Sequence, residues 1–116
     1  MNMTTSPATV RTPKIYGTLN HTAKFSCESD GRPLSLCLWS RTVRDQQEVI
    51  WMNRHGHNVS SDGIQLPSPF DLGGGKCSVS IEAVMEDHFG TWTCILLAAA
   101  DGEILTGEKE LRDGKV

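Results

Sequence analysis

Four cysteines, Cys27, Cys37, Cys77 and Cys94, are the strongest constraint on what this 116-residue chain can fold into. No two of them form a CxxC pair, so the short chelate loops of structural zinc sites are missing. An even number of cysteines in a small chain favours two disulfides, although four cysteines allow three connectivities. Because disulfides persist in oxidising compartments, we expect an extracellular domain.

The length and charge of the chain exclude several classes of partner. A chain of 116 residues holds one domain of ordinary size. Its 11 basic and 14 acidic residues give a net charge of -3 and form no cationic stripe that could neutralise phosphates. The longest apolar run, residues 94–100, is far shorter than the roughly 20 residues that span a bilayer. We therefore expect neither a nucleic-acid partner nor direct insertion of this domain into a membrane.

Short runs of alternating apolar and polar residues, separated by turn clusters, dominate the sequence. In residues 21–27 one side carries Ala23, Phe25 and Cys27, and residues 76–82 alternate in the same way. Further strands are predicted at residues 34–41, 48–53, 90–99 and 103–111. Residues 54–75 read as a loop with short strands near 59 and 64–66. Seven to nine short strands of this kind predict an all-β sandwich.

The run HFGTWTC, residues 88–94, follows Cys27 and Trp39 at a spacing that resembles the Cys…Trp…Cys signature of the immunoglobulin superfamily. The resemblance covers roughly residues 8 to 111 and implies a Greek-key β-sandwich of V-like or intermediate type. It also implies an inter-sheet bridge from Cys27 on strand B to Cys94 on strand F, packed against Trp39 on strand C. Residues 1–7 are then expected to be a flexible leader and residues 112–116 a tail toward a next domain.

The second cysteine pair follows from the alternation of the strands. Cys37 has the same parity as Trp39, and Cys77 has the same parity as Val79. Both thiols therefore point into the core from opposite sheets, which favours a bridge from Cys37 to Cys77. The alternative is a pair of free buried thiols, because free cysteine packs as a small hydrophobe. Together with the run GGGKCSVSI, this layout resembles the membrane-distal domains of arthropod adhesion proteins of the fasciclin III and beaten-path type.

Two positions depart from the family pattern. His88 stands six residues before Cys94, where the family usually has an aspartate that pairs with a basic residue. Trp92 stands two residues before the same cysteine, where the family has a tyrosine. Since an indole has an N–H and no hydroxyl, the tyrosine corner is not expected to form in its usual way.

The outward faces of the predicted strands differ in polarity. On strands B and E the solvent side carries five hydrophilic residues: Lys24, Ser26, Ser78, Ser80 and Glu82. On strands C and F the same alternation places aliphatic side chains outside: Leu36, Leu38, Ile95 and Leu97. A two-residue turn at Asp101-Gly102 would pair Ile104 with Ala99 and add Ile104 to this surface. Ile50, Trp51 and Met52 could extend it, but the sequence leaves open which of them faces outward.

An aliphatic surface of this extent is typical of an interaction site. In the immunoglobulin superfamily, the face of strands G, F and C is the usual surface for pairing of V-like domains. The alternative is that an extra strand, an N-terminal segment or a neighbouring domain covers these side chains.

Candidates for catalysis, metals or cofactors are few. The four histidines and the acidic residues are scattered, and no serine lies in a GxSxG motif. His55 and His57 have no third metal ligand nearby in sequence and read as solvated loop residues. Residues 73–76, GGGK, lack the spacing of a phosphate-binding loop and precede a strand, so they are interpreted as a turn. We therefore expect a protein that is not an enzyme and that needs no cofactor.

The prediction from the sequence is an extracellular recognition or adhesion module that binds a protein partner through strands G, F and C. The partner is either a second copy of the chain or a different receptor. The alternative function is a soluble, secreted recognition protein of immune type. Three N-x-S/T sequons begin at Asn2, Asn20 and Asn58, and Asn20 and Asn58 are the expected glycosylation sites.

Overall fold

The computed structural model describes residues 5–10, 12–61, 63–66 and 69–114. Within them the chain forms ten strands, one short helix α1 (Pro69–Gly73) and one 3-10 turn (Glu86–His88). The strands in chain order are β1 (Thr5–Pro7), β2 (Lys14–Gly17), β3 (Ala23–Glu28), β4 (Leu34–Val43), β5 (Gln46–Asn53), β6 (Asn58–Val59), β7 (Ile64–Gln65), β8 (Lys76–Ile81), β9 (Gly90–Ala98) and β10 (Ile104–Asp113).

The strands form two sheets. The larger has seven strands in the order β1-β10-β9-β4-β5-β6, with β2 also paired to β10, and the smaller has the order β3-β8-β7. β1 and β2 run parallel to β10, whereas the other neighbours are antiparallel. The additional strands β5 and β6 lie on the sheet that contains β10, β9 and β4, as in V-like domains. The predicted immunoglobulin-like Greek-key sandwich is confirmed.

The core lies between the two sheets and follows the predicted alternation. Trp39 and Trp92 from the large sheet are buried, and both contact Phe25 of β3 edge to face, with ring centroids 5.3 Å apart. Val79 and Ile81 of β8 are also fully buried. Every second side chain of each strand points toward the other sheet. These inward apolar side chains pack against one another and form the core between the two sheets.

Both disulfides join the two sheets. Cys27 is bonded to Cys94 and Cys37 to Cys77, with Cα–Cα distances of 6.8 and 5.9 Å. This is the pairing expected from the sequence, and no described cysteine is free. Cys27 and Cys77 lie opposite each other on β3 and β8, so the two bridges leave the small sheet from neighbouring positions.

The strands extend beyond the predicted domain limits at both ends. The predicted leader, residues 1–7, contains β1, because Thr5–Pro7 pairs with Ile104–Thr106 along the edge of β10. The predicted tail, residues 112–116, begins inside β10, whose last residues pair with β2. The physical reason is that one side of β10 has backbone N–H and C=O groups that need hydrogen-bond partners. Strands β1 and β2 supply these partners. Residues 1–4 and 115–116 lie outside the described residues.

The hairpin between β9 and β10 has a different register from the predicted one. Ile104 lies opposite Leu97 rather than Ala99. The N–H of Ala99 donates to the carbonyl of Pro33, and the N–H of Ala98 donates to Glu103, each at 2.9 Å, so the loop has four residues instead of two. A shift of two residues preserves the side of the sheet, and Ile104 therefore still faces outward.

Candidate protein-binding face

The five aliphatic residues predicted for binding lie together on the outer face of the large sheet. Leu36 is opposite Leu97, which is in turn opposite Ile104, and Leu38 is opposite Ile95. All five are half-buried, and they alternate with fully buried neighbours along β4, β9 and β10. We call this set, Leu36, Leu38, Ile95, Leu97 and Ile104, the aliphatic patch.

The register of β5 decides which of its residues extends the patch. Trp51 lies opposite Leu38 on the outer face, whereas Ile50 and Met52 are buried in the core. Val59 of β6 lies opposite Trp51 and is 46% exposed. Val59 could not be assigned to this face from the sequence, because a two-residue strand has no alternation from which to infer its side.

Among the described residues, no ionisable side chain lies within this surface. Thr106 and Asn53 stand beside the patch, and the next row across the sheet carries Thr93, Ser40 and Val49. The first charged side chain on this face of β10 is Glu108, opposite Thr93. The patch therefore offers apolar contact area bordered by hydroxyl and amide groups, which is the composition of a core and inner rim of a protein interface.

Charged side chains border the loop end of the patch. The guanidinium of Arg32 lies 3.2 Å from the carboxylates of both Asp101 and Glu103. A hydrogen bond from Ser6 and the neighbouring Arg32 hold the pKa of Glu103 below its usual value. These groups precede Ile104 in the chain and form a polar rim.

A polar network closes the opposite end of the large sheet. Arg41 on β4 has a side chain only 9% exposed, and its Nε donates to Glu48 Oε1 at 3.0 Å. Its Nη1 donates to the carbonyl of Asp87 at 2.7 Å, and its guanidinium lies 4.9 Å from the ring centre of Trp92. Buried guanidinium groups need such partners, because an unpaired charge in the interior is costly.

The two departures from the family pattern belong to this network. Trp92 Nε1 donates to the carbonyl of His88 at 2.9 Å, so an indole forms the corner contact that a tyrosine hydroxyl makes in the family. The Asp87 carboxylate pairs instead with the exposed Arg44 at 3.3 Å. His88 Nδ1 accepts the Met85 N–H at 2.8 Å. Burial and then the nearby Arg41 lower the pKa of His88, which favours the neutral ring that this hydrogen bond requires.

The predicted glycosylation sites lie away from the patch. Asn20 is exposed in the turn before β3, and its backbone has a left-handed φ of 68°. Asn58 is exposed on β6 opposite Met52, so it lies on the other side of the strand from Val59. Asn2 falls outside the described residues. Glycans at Asn20 and Asn58 would leave the aliphatic patch open.

The remaining candidate motifs form no further site in the described part of the chain. His55 and His57 are exposed in the turn between β5 and β6, and no group of three metal-ligating side chains comes together among the described residues. The GGGK run turns the chain into β8, with Gly75 at a φ of +79°. No described helix has the length and apolar character needed to cross a bilayer.

Comparison with solved structures supports the same fold. The extracellular portion of mouse CD200RLa superimposes with a TM-score of 0.70, at 20% sequence identity, over 88% of this chain. The fold is immunoglobulin-like. The chain spans only 55% of the length of that structure, and 1331 solved chains match altogether, so the likeness identifies the architecture and no partner. No family model matches the sequence, and no curated protein matches it.

Proposed function

We propose that this chain is an extracellular recognition module that binds a protein partner through the aliphatic patch. The observation that carries the proposal is the row of outward Leu and Ile side chains across β4, β9 and β10, in a domain whose core is already filled by the inward residues. The two disulfides and the likeness to the extracellular portion of a receptor support an extracellular location.

Binding through this face is non-covalent association and involves no catalysis, cofactor or metal. Burying three of the aliphatic side chains fully in a partner would supply very roughly 5–9 kcal/mol before the costs of association. Leu38 and Leu97 lie nearest the centre of the surface and are the proposed anchors, with Trp51 as an aromatic neighbour. The rim of Arg32, Asp101 and Glu103 would provide specificity.

The partner is a second copy or a different cell-surface protein. The absence of charged groups from the patch favours either an apolar face of another receptor or the same face of a second copy, because no like charges meet in such a pair. The cysteine layout and the run GGGKCSVSI lead us to propose a cell-adhesion role like that of the membrane-distal domains of fasciclin III and beaten-path proteins. A soluble secreted recognition protein is the second candidate, since the same disulfides serve both.

Asp substitutions on the two outer faces test the proposal. Beads coated with the oxidised chain are mixed to detect self-association, and tetramers of the chain are tested against cells that express individual receptor ectodomains. We expect binding in one of these assays, and we expect Leu38→Asp and Leu97→Asp to weaken it at least about a hundredfold, since each buries a charge at the interface.

The matched control is Ser80→Asp, which places the same charge on the outer face of the small sheet and should bind like the wild type. Equal binding by all four proteins would exclude the patch as the binding face. A wild type that binds in neither assay would contradict the recognition function. Sequence beyond Val116 that encodes further domains and a membrane segment supports adhesion, whereas a stop codon there supports the secreted form.

A further inference from the structure

One core-facing position of β10 carries no side chain. Gly107 lies directly opposite Cys94 of β9. A Cβ atom at position 107 would lie 3.3 Å from Cys94 Sγ and only 2.8 Å from Cγ2 of Val10. The second distance is well inside the separation of about 3.5–4.0 Å at which carbon atoms pack. The missing side chain therefore makes room for Val10 beside the Cys27–Cys94 disulfide.

The segment that ends at Val10 crosses from the large sheet to the small one. The N–H of Ala8 donates to a carbonyl of β10 at 2.9 Å, and Thr9 exchanges two backbone hydrogen bonds with Glu28 of β3, of 2.8 and 3.0 Å. Ala8 and Val10 are half-buried and pack against the core. We call residues 8–10 the strap. Its pairing with β3 is an isolated bridge, so local opening of the strap costs less than opening a ladder of the core.

The strap lies over one disulfide and not over the other. Cys27 immediately precedes the residue of β3 to which the strap bonds, and Cys94 lies opposite Gly107. The Cys37–Cys77 bridge joins β4 to β8, one strand further from the strap in each sheet. All four cysteines are at most 1% exposed. Opening of the strap would therefore uncover the first bridge and leave the second one buried.

A surface cleft of about 230 Å³ reaches the strap. Its described lining consists of Thr9, Thr12, Ser26, Glu28 and Lys109. Ser26 and Glu28 are the chain neighbours of Cys27, and Nζ of Lys109 donates to the Ser26 carbonyl at 2.9 Å. The cleft is large enough for a small thiol such as dithiothreitol. It therefore provides a path from solvent to the strap beside the Cys27–Cys94 bridge.

We propose that the Cys27–Cys94 disulfide is a thiol-exchange site and that the strap controls the access of small thiols to it. When the strap opens, an external thiolate attacks one of the two sulfurs. A new bond joins the attacking sulfur to that cysteine, the Cys27–Cys94 bond breaks, and its electron pair leaves on the other sulfur as a thiolate. A second thiolate then displaces the first cysteine. The external thiol is thereby oxidised to its disulfide, and both cysteines are reduced.

Reduction of the folded chain by dithiothreitol tests the proposal. Free thiols are trapped with iodoacetamide and located by peptide mapping, which gives the initial rate of loss of each bridge. Val10→Ala removes the methyl groups beside Gly107 and weakens the strap. We expect this variant to lose the Cys27–Cys94 bridge at least about tenfold faster than the wild type, because exchange follows access to the sulfurs. The rate of loss of the other bridge should not change.

The matched control is Val43→Ala, the same change in a half-buried valine of β4, and both of its bridges should be lost at the wild-type rates. Acceleration of both bridges to the same extent in Val10→Ala would indicate general destabilisation and overturn the proposal. Unchanged rates in Val10→Ala would also overturn it. None of these measurements involves binding through the aliphatic patch, so the result is independent of the proposed function.

A methyl group at position 107 provides a second test of the same contact. Gly107→Ala places this group where the Val10 side chain lies, so it should displace the strap and accelerate loss of the Cys27–Cys94 bridge. In the double variant Val10→Ala with Gly107→Ala, the new methyl group fills the gap beside Cys94, and reduction should be slower than in either single variant. A double variant that is reduced faster than both contradicts the proposal. If Gly107→Ala does not fold, the two rates in Val10→Ala decide.

Discussion

The outer faces of the two sheets follow the same alternation but have opposite characters. On the small sheet the outward positions carry Lys24, Ser26, Ser80 and Glu82, which water solvates; Ser78, expected among them, is buried instead. On the large sheet the outward positions of β4 and β9 carry Leu and Ile. Folding requires only the inward residues to be apolar, so the aliphatic outer face is a property of the large sheet that the sandwich itself does not need.

The two sides of strand β9 should respond differently to loss of a leucine side chain. Leu96 is fully buried and Leu97 is half-buried in the patch. We expect Leu96→Ala to lower the free energy of unfolding by about 3 kcal/mol and Leu97→Ala by less than about 1 kcal/mol, because only the first leaves a cavity in the core. Denaturant unfolding of both variants measures this. A loss of similar size at both positions would mean that the patch is part of the core.

The polar end of the large sheet should respond to pH, unlike the aliphatic end. The folded pKa of His88 lies below the ordinary value of 6.5, so between these two values the unfolded chain binds more protons. Stability from His88 is therefore fully present above about pH 6.5 and is lost as the pH falls. Protonation also breaks the bond from the Met85 N–H, worth about 1 kcal/mol.

The matched variant is His88→Asn, whose side-chain oxygen can accept the same N–H and does not titrate. Its free energy of unfolding should vary less with pH than that of the wild type between about pH 7 and 5. Identical slopes for the two proteins would show that His88 does not couple the fold to protons.

Charges added to the two outer faces should have modest and unequal effects on stability. Ser80→Asp should change the free energy of unfolding by less than about 0.5 kcal/mol, as surface substitutions do. Leu38→Asp should lower it by about 1 kcal/mol, because it removes half-buried contacts with Trp51 and Ile95. Binding of the dye ANS should also distinguish them, since it reports exposed apolar surface. We expect reduced ANS fluorescence for Leu38→Asp and unchanged fluorescence for Ser80→Asp. Equal ANS fluorescence of the two variants would show that the outer face of the large sheet exposes no more apolar surface than that of the small sheet.

Strand positions and the inward residues were predictable because alternation is a local property. The parity of Cys37 and Cys77 correctly placed both in the core on opposite sheets, and the same parity placed Leu38 and Leu97 outside. An error of two residues in the strand register leaves every side chain on the same side of the sheet. For this reason Ile104 was assigned to the correct side although the predicted hairpin register was wrong.

The polar end of the large sheet was not predictable in the same way. The sequence has His88 and Trp92 where the immunoglobulin pattern has aspartate and tyrosine, which suggested missing contacts at these two positions. The structure instead satisfies these groups through backbone carbonyls: Trp92 bonds to the carbonyl of His88, and Arg41 bonds to the carbonyl of Asp87. Every residue has a backbone carbonyl, so the type of residue at a position does not indicate that its carbonyl will accept such a hydrogen bond.

The sequence by itself determined the class of the fold, the inward and outward sides of the main strands, and the cysteines that face each other across the core. These follow from periodicities that neighbouring residues set. Only the tertiary structure decided the outward side of Trp51, the addition of Val59, and the approach of Lys109 to the β3 edge. Each of these depends on the register or packing of segments far apart in the chain, which no local pattern encodes.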